Sequence, residues 1–200
     1  MKPPPRPPPH RPERGTVRVG RRTLLRGATG LFVAWMTPVL SAAQTDRTTG
    51  RPAKGDLLVK VGDATLTPLT IDDIPTTAPL MAWPMNAADQ IARSGSRLNR
   101  VLLVRLDREA LATGTRSLAA GNVVAYSAIC THSGCDVGGW IADEQQLYCE
   151  CHESKFDPRD GARVTDGPAP RSLPALPIEV VDGVLVVARP FTSRVGVTEG

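Results

Sequence analysis

Aromatic side chains are scarce, at 4% of the 200 residues, so a folded core must rest on Val, Leu, Ile and Ala. Cysteine and histidine are rarer still, with four and three residues. A sustained basic surface is also missing. Residues 1–43 hold eight Lys/Arg against Glu13, which leaves 16 basic and 19 acidic residues in the rest of the chain. The formal charge of +4 therefore belongs to the leader, and nucleic-acid binding is excluded as a reading of the body. No internal repeat is present. What is plentiful is punctuation: 19 prolines and 18 glycines imply short strands and many turns rather than long helices.

The leader has three parts. Residues 1–12 are mostly Pro and Arg, an extended solvated tail. Arg21-Arg22 stands before an uncharged run over 27–40, and Ser41-Ala42-Ala43 follows. A charged start, a short apolar run and small residues at a cleavage point describe an export signal, here of twin-arginine (Tat) type. The apolar stretch 27–43 is at the short end for a bilayer span and contains Pro38. Cleavage after Ala43 is the expectation, with a retained membrane anchor as the alternative. Residues 44–55 are polar, with Gly and Pro, and read as a flexible linker.

The body, 56–190, reads as all-β. Strands are expected at 56–61, 101–106, 122–129, 146–148, 162–165, 178–181 and 184–188. Asp182-Gly183 between the last two is a hairpin signal. Residues 65–84, with four prolines, read as a long loop, and 87–93 as a helical turn. Stretch 109–120 reads as loop or short helix, and 191–200 as a loose tail. The charged residues before 122 read as a solvated face, and Trp83 and Tyr126 as packing residues.

All four cysteines and two of the histidines fall between Cys130 and His152; His10 lies in the leader. By ligand type the order is Cys130-x-His132, sixteen residues, Cys149-x-x-His152. Two thiolates and two imidazoles at this spacing suit a 2Fe–2S cluster with Cys on one iron and His on the other. A structural zinc site is the bland alternative.

The boxes C-T-H-S-G-C (130–135) and C-E-C-H-E-S (149–154), with Gly167-Pro168-Ala169-Pro170 after them, resemble the disulfide-containing Rieske iron–sulfur proteins. Such proteins occur in quinol:cytochrome c reductases and as small subunits of arsenite-oxidase-like periplasmic molybdenum oxidases. The resemblance covers about 56–190. It implies an antiparallel β-sandwich with a smaller inserted cluster-binding subdomain at about 129–172. It assigns Cys130 and Cys149 to one iron and His132 and His152 to the other. It pairs Cys135 with Cys151, which agrees with an oxidising compartment and contributes about 3 kcal/mol by loop-closure entropy. It gives Ser154 a hydrogen bond to a bridging sulfide, and makes Gly167, Pro168 and Pro170 part of a loop covering the cluster.

Four positions depart from the family pattern. Glu150 stands for a common Pro and Glu153 for a common Gly, and their charge disfavours the reduced state. Phe156 replaces a Tyr whose hydroxyl bonds a cysteine sulfur in high-potential members, which lowers the potential. Ser133 replaces a bulky apolar residue of quinol-oxidising members. Only 48 residues follow His152 and none is His, which excludes a Rieske-type ring-hydroxylating oxygenase.

The expected function is one-electron transfer within an exported or membrane-associated oxidoreductase, with no catalytic residue of its own. A ubiquinol–cytochrome c reductase-like role comes first. An electron-relay subunit of a periplasmic molybdenum oxidase or dehydrogenase is the alternative, and a non-redox module with a structural metal is a third. Implied partners are a redox protein, a quinol or cytochrome c-type acceptor, and the Tat machinery. The implied location is the periplasm or the periplasmic face of the inner membrane.

Overall fold

The structure is a computed structural model and describes residues 47–197. The leader 1–43, its export signal, and 44–46 of the expected linker lie outside the described residues.

The described chain is all-β. Ten strands follow in order: β1 (Leu57–Lys60), β2 (Leu80–Met85), β3 (Val101–Arg105), β4 (Val123–Ser127), β5 (Gly139–Ile141), β6 (Gln146–Cys149), β7 (Ser154–Asp157), β8 (Arg163–Asp166), β9 (Ile178–Val181) and β10 (Val184–Val187). They form a six-stranded sheet, β4-β3-β2-β1-β10-β9, and a four-stranded sheet, β5-β6-β7-β8. Every named strand pairing is antiparallel. The small sheet is an insertion, because its strands fall between β4 and β9 of the large one.

β3 and β4 carry unbroken apolar runs because both of their faces are covered. Successive side chains point to opposite faces of a strand. Leu102, Val104, Val124 and Tyr126 therefore join one core, and Val101, Leu103, Val123 and Ala125 the other. The first core continues into the small sheet through Leu147 and Phe156 and includes Cys130 and Cys149. The candidate ligand thiols are thus an extension of packed hydrophobic core.

β2 corrects the reading of 65–84 as one long loop. Leu80–Met85 is a strand despite Pro84. Pro84 has no N–H to give, but its carbonyl accepts from Arg93 N at 2.8 Å, so the pairing survives. The expected helical turn at 87–93 is instead a tight turn, closed by Gln90 N donating to Asn86 O at 2.9 Å. One helical turn occurs later, at Thr113–Arg116. β5 and β7 were also absent from the expected strands; both are short and adjoin turn-rich sequence.

The charged residues of this half are not all solvated. Asp56 is 3% exposed and takes both Arg93 Nε (2.6 Å) and Nη2 (2.9 Å). Within the stretch read as a linker, Gly50 O accepts from Asn99 Nδ2 and Gly55 N donates to Val187 O. Among the described residues, no helix is long and apolar enough to cross a membrane.

Candidate metal centre

Each ligand box folds into the same kind of turn. In the first, β4 runs out through Ile129, which bridges to Asp136. Cys130 N donates to Cys135 O (2.8 Å) and Gly134 N to Cys130 O (3.1 Å). In the second, Cys149 and Ser154 are register partners across the β6–β7 hairpin, and Glu153 N donates to Cys149 O (2.9 Å). In both turns the fifth residue is left-handed: Gly134 at φ +76° and Glu153 at φ +62°. The first turn meets this demand with glycine. The second meets it with a glutamate, which is strained there.

The two turns bring the candidate ligands together as two pairs. Cys130 and Cys149 are free, buried thiols, each 1% exposed. Burial pushes the Cys149 thiol up, and the adjoining Cys130 pushes it the same way. The His132 and His152 rings lie 4.6 Å apart between centroids, edge to face. His152 is exposed and His132 half-buried. Cys135 and Cys151 are joined by a disulfide that ties one turn to the other. Ser133 is exposed, its hydroxyl 3.4 Å from His152 Nδ1 and 3.6 Å from Cys135 Sγ.

The loop after β8 closes the other side. Gly167 is at φ +85°, and a Cβ there would lie 2.6 Å from Ser154 Cα and 2.9 Å from Glu153 O. Only glycine lets this loop press on the second turn. Ala169 N then donates to the Ser154 hydroxyl at 3.2 Å, and Ser154 is fully buried. Pro168 and Pro170 flank Ala169 and are exposed. Phe156 is 0% exposed, in the core beneath.

The residues present fit a metal cluster. His132 Nδ1 is buried without a hydrogen-bond partner, a costly state for a ring nitrogen unless a metal bond satisfies it. Two adjoining buried thiols are a natural thiolate pair once a cation displaces their protons.

The Rieske [2Fe-2S] domain model matches residues 89–177. The cytochrome bc1 complex Rieske iron-sulfur subunit of Streptomyces lividans is 34% identical over 149 residues, 72% of this chain and 86% of that protein. The chain belongs to the Rieske [2Fe-2S] family.

A Rieske domain of this family binds a Rieske-type 2Fe–2S cluster and transfers electrons. The "Putative respiratory nitrate reductase subunit Rieske" of Haloferax mediterranei is 43% identical over 107 residues, 52% of this chain and 47% of that protein. The plasma membrane Rieske protein of Synechocystis PCC 6803 aligns with a TM-score of 0.40 at 24% identity, over 59% of this chain and 93% of that one. The chain spans about half the length, or less, of the first curated relatives it matches: 47% of the Haloferax protein and 26% of the bc1 Rieske subunit of Corynebacterium diphtheriae.

The sequence reading passed over several residues that shape this Rieske site. Thr131 is 1% exposed, and its hydroxyl donates to Arg171 O at 2.6 Å. Asp136 is gripped by Arg97 Nη2 (2.7 Å) and Arg100 Nη1 (2.9 Å), and Arg97 also donates to Gly134 O at 2.7 Å. Burial alone would push the Asp136 carboxyl up; the two guanidinium groups outweigh it and hold it below the ordinary range. Thr131 stood inside the ligand box and was legible there. The arginines lie 36 and 39 residues from Asp136, and no local pattern links them.

Proposed function

We propose that this Rieske domain is the electron-transferring subunit of a quinol:cytochrome c reductase of bc1 type, exported by the Tat route and working on the periplasmic face of a membrane. The observation that carries the reading is the layering of the site: two buried thiols beneath two imidazoles near the surface. Cys130 and Cys149 would hold one iron, and His132 and His152 the other. When bound, the cluster supplies one-electron redox chemistry, at a potential raised by having two imidazoles in place of two thiolates.

The chain's own residues do the rest. The half-buried His132 and exposed His152 place the redox site where a partner's acceptor comes close. Ring nitrogens not used for binding hold or release a proton at the surface. The Cys135–Cys151 disulfide and the 167–170 loop exclude water from the two sides. Names borne by relatives support the choice of complex, several being bc1 Rieske subunits.

A relay subunit of another periplasmic oxidoreductase is the second reading, and two observations favour it. Ser133 puts a hydroxyl at the tip where a quinol-docking surface would be apolar, and Phe156 offers no hydroxyl to a cysteine sulfur. The Haloferax relative carries a name of that kind.

Redox titration with electron paramagnetic resonance, on wild type and Phe156→Tyr, separates the readings. A high potential that depends on pH near neutrality supports the quinol reading. A markedly lower one supports the relay. Absence of a Rieske-type signal from iron-loaded, reduced protein overturns both and leaves the structural-metal reading. Phe156→Tyr is expected to raise the potential: a hydrogen bond worth about 1 kcal/mol is roughly 40 mV for one electron.

A further inference from the structure

Arg171 follows the 167–170 loop directly, and it is the meeting point of three segments. Its carbonyl accepts from Thr131 Oγ1 at 2.6 Å, which ties it to the residue between Cys130 and His132. Its Nη2 donates to Arg194 O (2.8 Å) and Gly196 O (2.6 Å) in the C-terminal segment. Its Nε and Nη1 are buried with no partner at all. A guanidinium with two buried, unpartnered nitrogens is unfavourable for folding on its own account. A side chain of this kind is explained by what its remaining contacts hold in place.

What they hold is a strap. Residues 191–197, read from sequence as part of a loose tail, lie under the first ligand turn. One end is fastened by Thr192, whose N donates to Ala175 O (2.9 Å) and whose Oγ1 accepts from Ala175 N (3.0 Å). The other end is fastened by the Arg171 fork. Between and beyond these points the strap touches the turn itself. A Cβ on Gly196 would sit 3.6 Å from Ile129 Cγ2 and 3.7 Å from Leu98 Cδ2. A Cβ on Gly134 would sit 3.6 Å from Val197 Cγ2. Ile129 precedes Cys130, and Gly134 precedes Cys135. The strap therefore supports the turn at both of its ends.

We propose that Arg171 is a positioning residue of the cluster site: its guanidinium pins the 191–197 strap beneath the first ligand turn, and its carbonyl anchors Thr131 from the other side. The inference rests on the ligand assignment proposed above. Lysine carries the same charge but not the planar fork that reaches two carbonyls together, so it is the informative conservative change.

The test uses the full, iron-loaded chain as wild type, Arg171→Met and Arg171→Lys. Three readouts are taken: bleaching rate under excess chelator, the paramagnetic spectrum of the reduced form, and hydrogen exchange at the Cys130 and Gly134 amides. Arg171→Met is expected to bleach roughly tenfold faster, as loss of an outer support does at metal sites. Its spectrum should broaden and both amides should exchange faster. Arg171→Lys should recover part of each change. Bleaching at the wild-type rate with an unchanged spectrum overturns the proposal. If Arg171→Met does not accumulate, a chain ending at Pro190 takes its place and must show the same acceleration, or the proposal fails. A wild-type chain that never gains a Rieske-type spectrum refutes the ligand assignment instead. Hydrogen exchange in the metal-free chain still decides whether Arg171 supports the turn.

Discussion

Replacing Gly167 by Ala adds one methyl group, yet it should be among the most damaging single changes in the small sheet. The methyl carbon would stand 2.6 Å from Ser154 Cα and 2.9 Å from both Ser154 N and Glu153 O, where ordinary contact begins at 3.4 Å. All three are backbone atoms of the second ligand turn, so no side chain can swing aside. Gly167 also sits at φ +85°, a conformation that costs an L-residue about 1–2 kcal/mol. Forced overpacking adds about 1–3 kcal/mol. The two together predict a loss of about 2–5 kcal/mol. Denaturant unfolding of the iron-loaded protein measures it, with cluster absorbance as a second probe. Gly114→Ala is the control: a Cβ there meets nothing within 4 Å, and in the helical turn Thr113–Arg116 the change should cost nothing or stabilise by up to about 1 kcal/mol. The cluster absorbance of Gly167→Ala should fade before the large sheet unfolds, because the displaced loop carries Ala169, the donor to Ser154. A Gly167→Ala protein within about 0.5 kcal/mol of wild type would refute the claim that this loop presses on the second turn through glycine alone.

The same physics with the opposite sign applies to Glu153→Gly: relief of a left-handed glutamate should stabilise the protein by about 1 kcal/mol in a thermal melt. Cys135→Ser with Cys151→Ser opens a bridge of sequence separation 16 and should lower stability by about 3 kcal/mol in denaturant, with faster cluster loss. Asp136→Asn tests the arginine clamp. The folded Asp136 carboxyl titrates below its ordinary value of 3.8, so its contribution is present above that value and lost as pH falls through the lowered one. Wild type should therefore exceed Asp136→Asn in stability near neutrality, and the gap should close in acid; a pH-independent gap would contradict the clamp.

Much of this molecule is legible in the order of its residues. The order of the candidate ligands Cys130, His132, Cys149 and His152 was readable because metal chemistry needs particular side chains at close spacing. The all-β character and the 178–188 hairpin were readable because alternation, β-branched residues and an Asp-Gly turn are local signals. β2 was hidden because Pro84 argues against a strand in sequence, while its carbonyl still serves the sheet through Arg93. The short β5 and β7 were hidden because three or four residues carry too little pattern.

By itself the sequence determined which atoms can bind metal and which segments extend, since both depend on residue type and near neighbours. The tertiary structure alone decided what holds the site. Asp136 meets Arg97 and Arg100, Gly167 meets Ser154, and Arg171 joins Thr131 to Gly196 across 36 to 39, 13, 40 and 25 residues. Contacts across such separations follow from how two sheets pack around one core. No local rule of spacing encodes them.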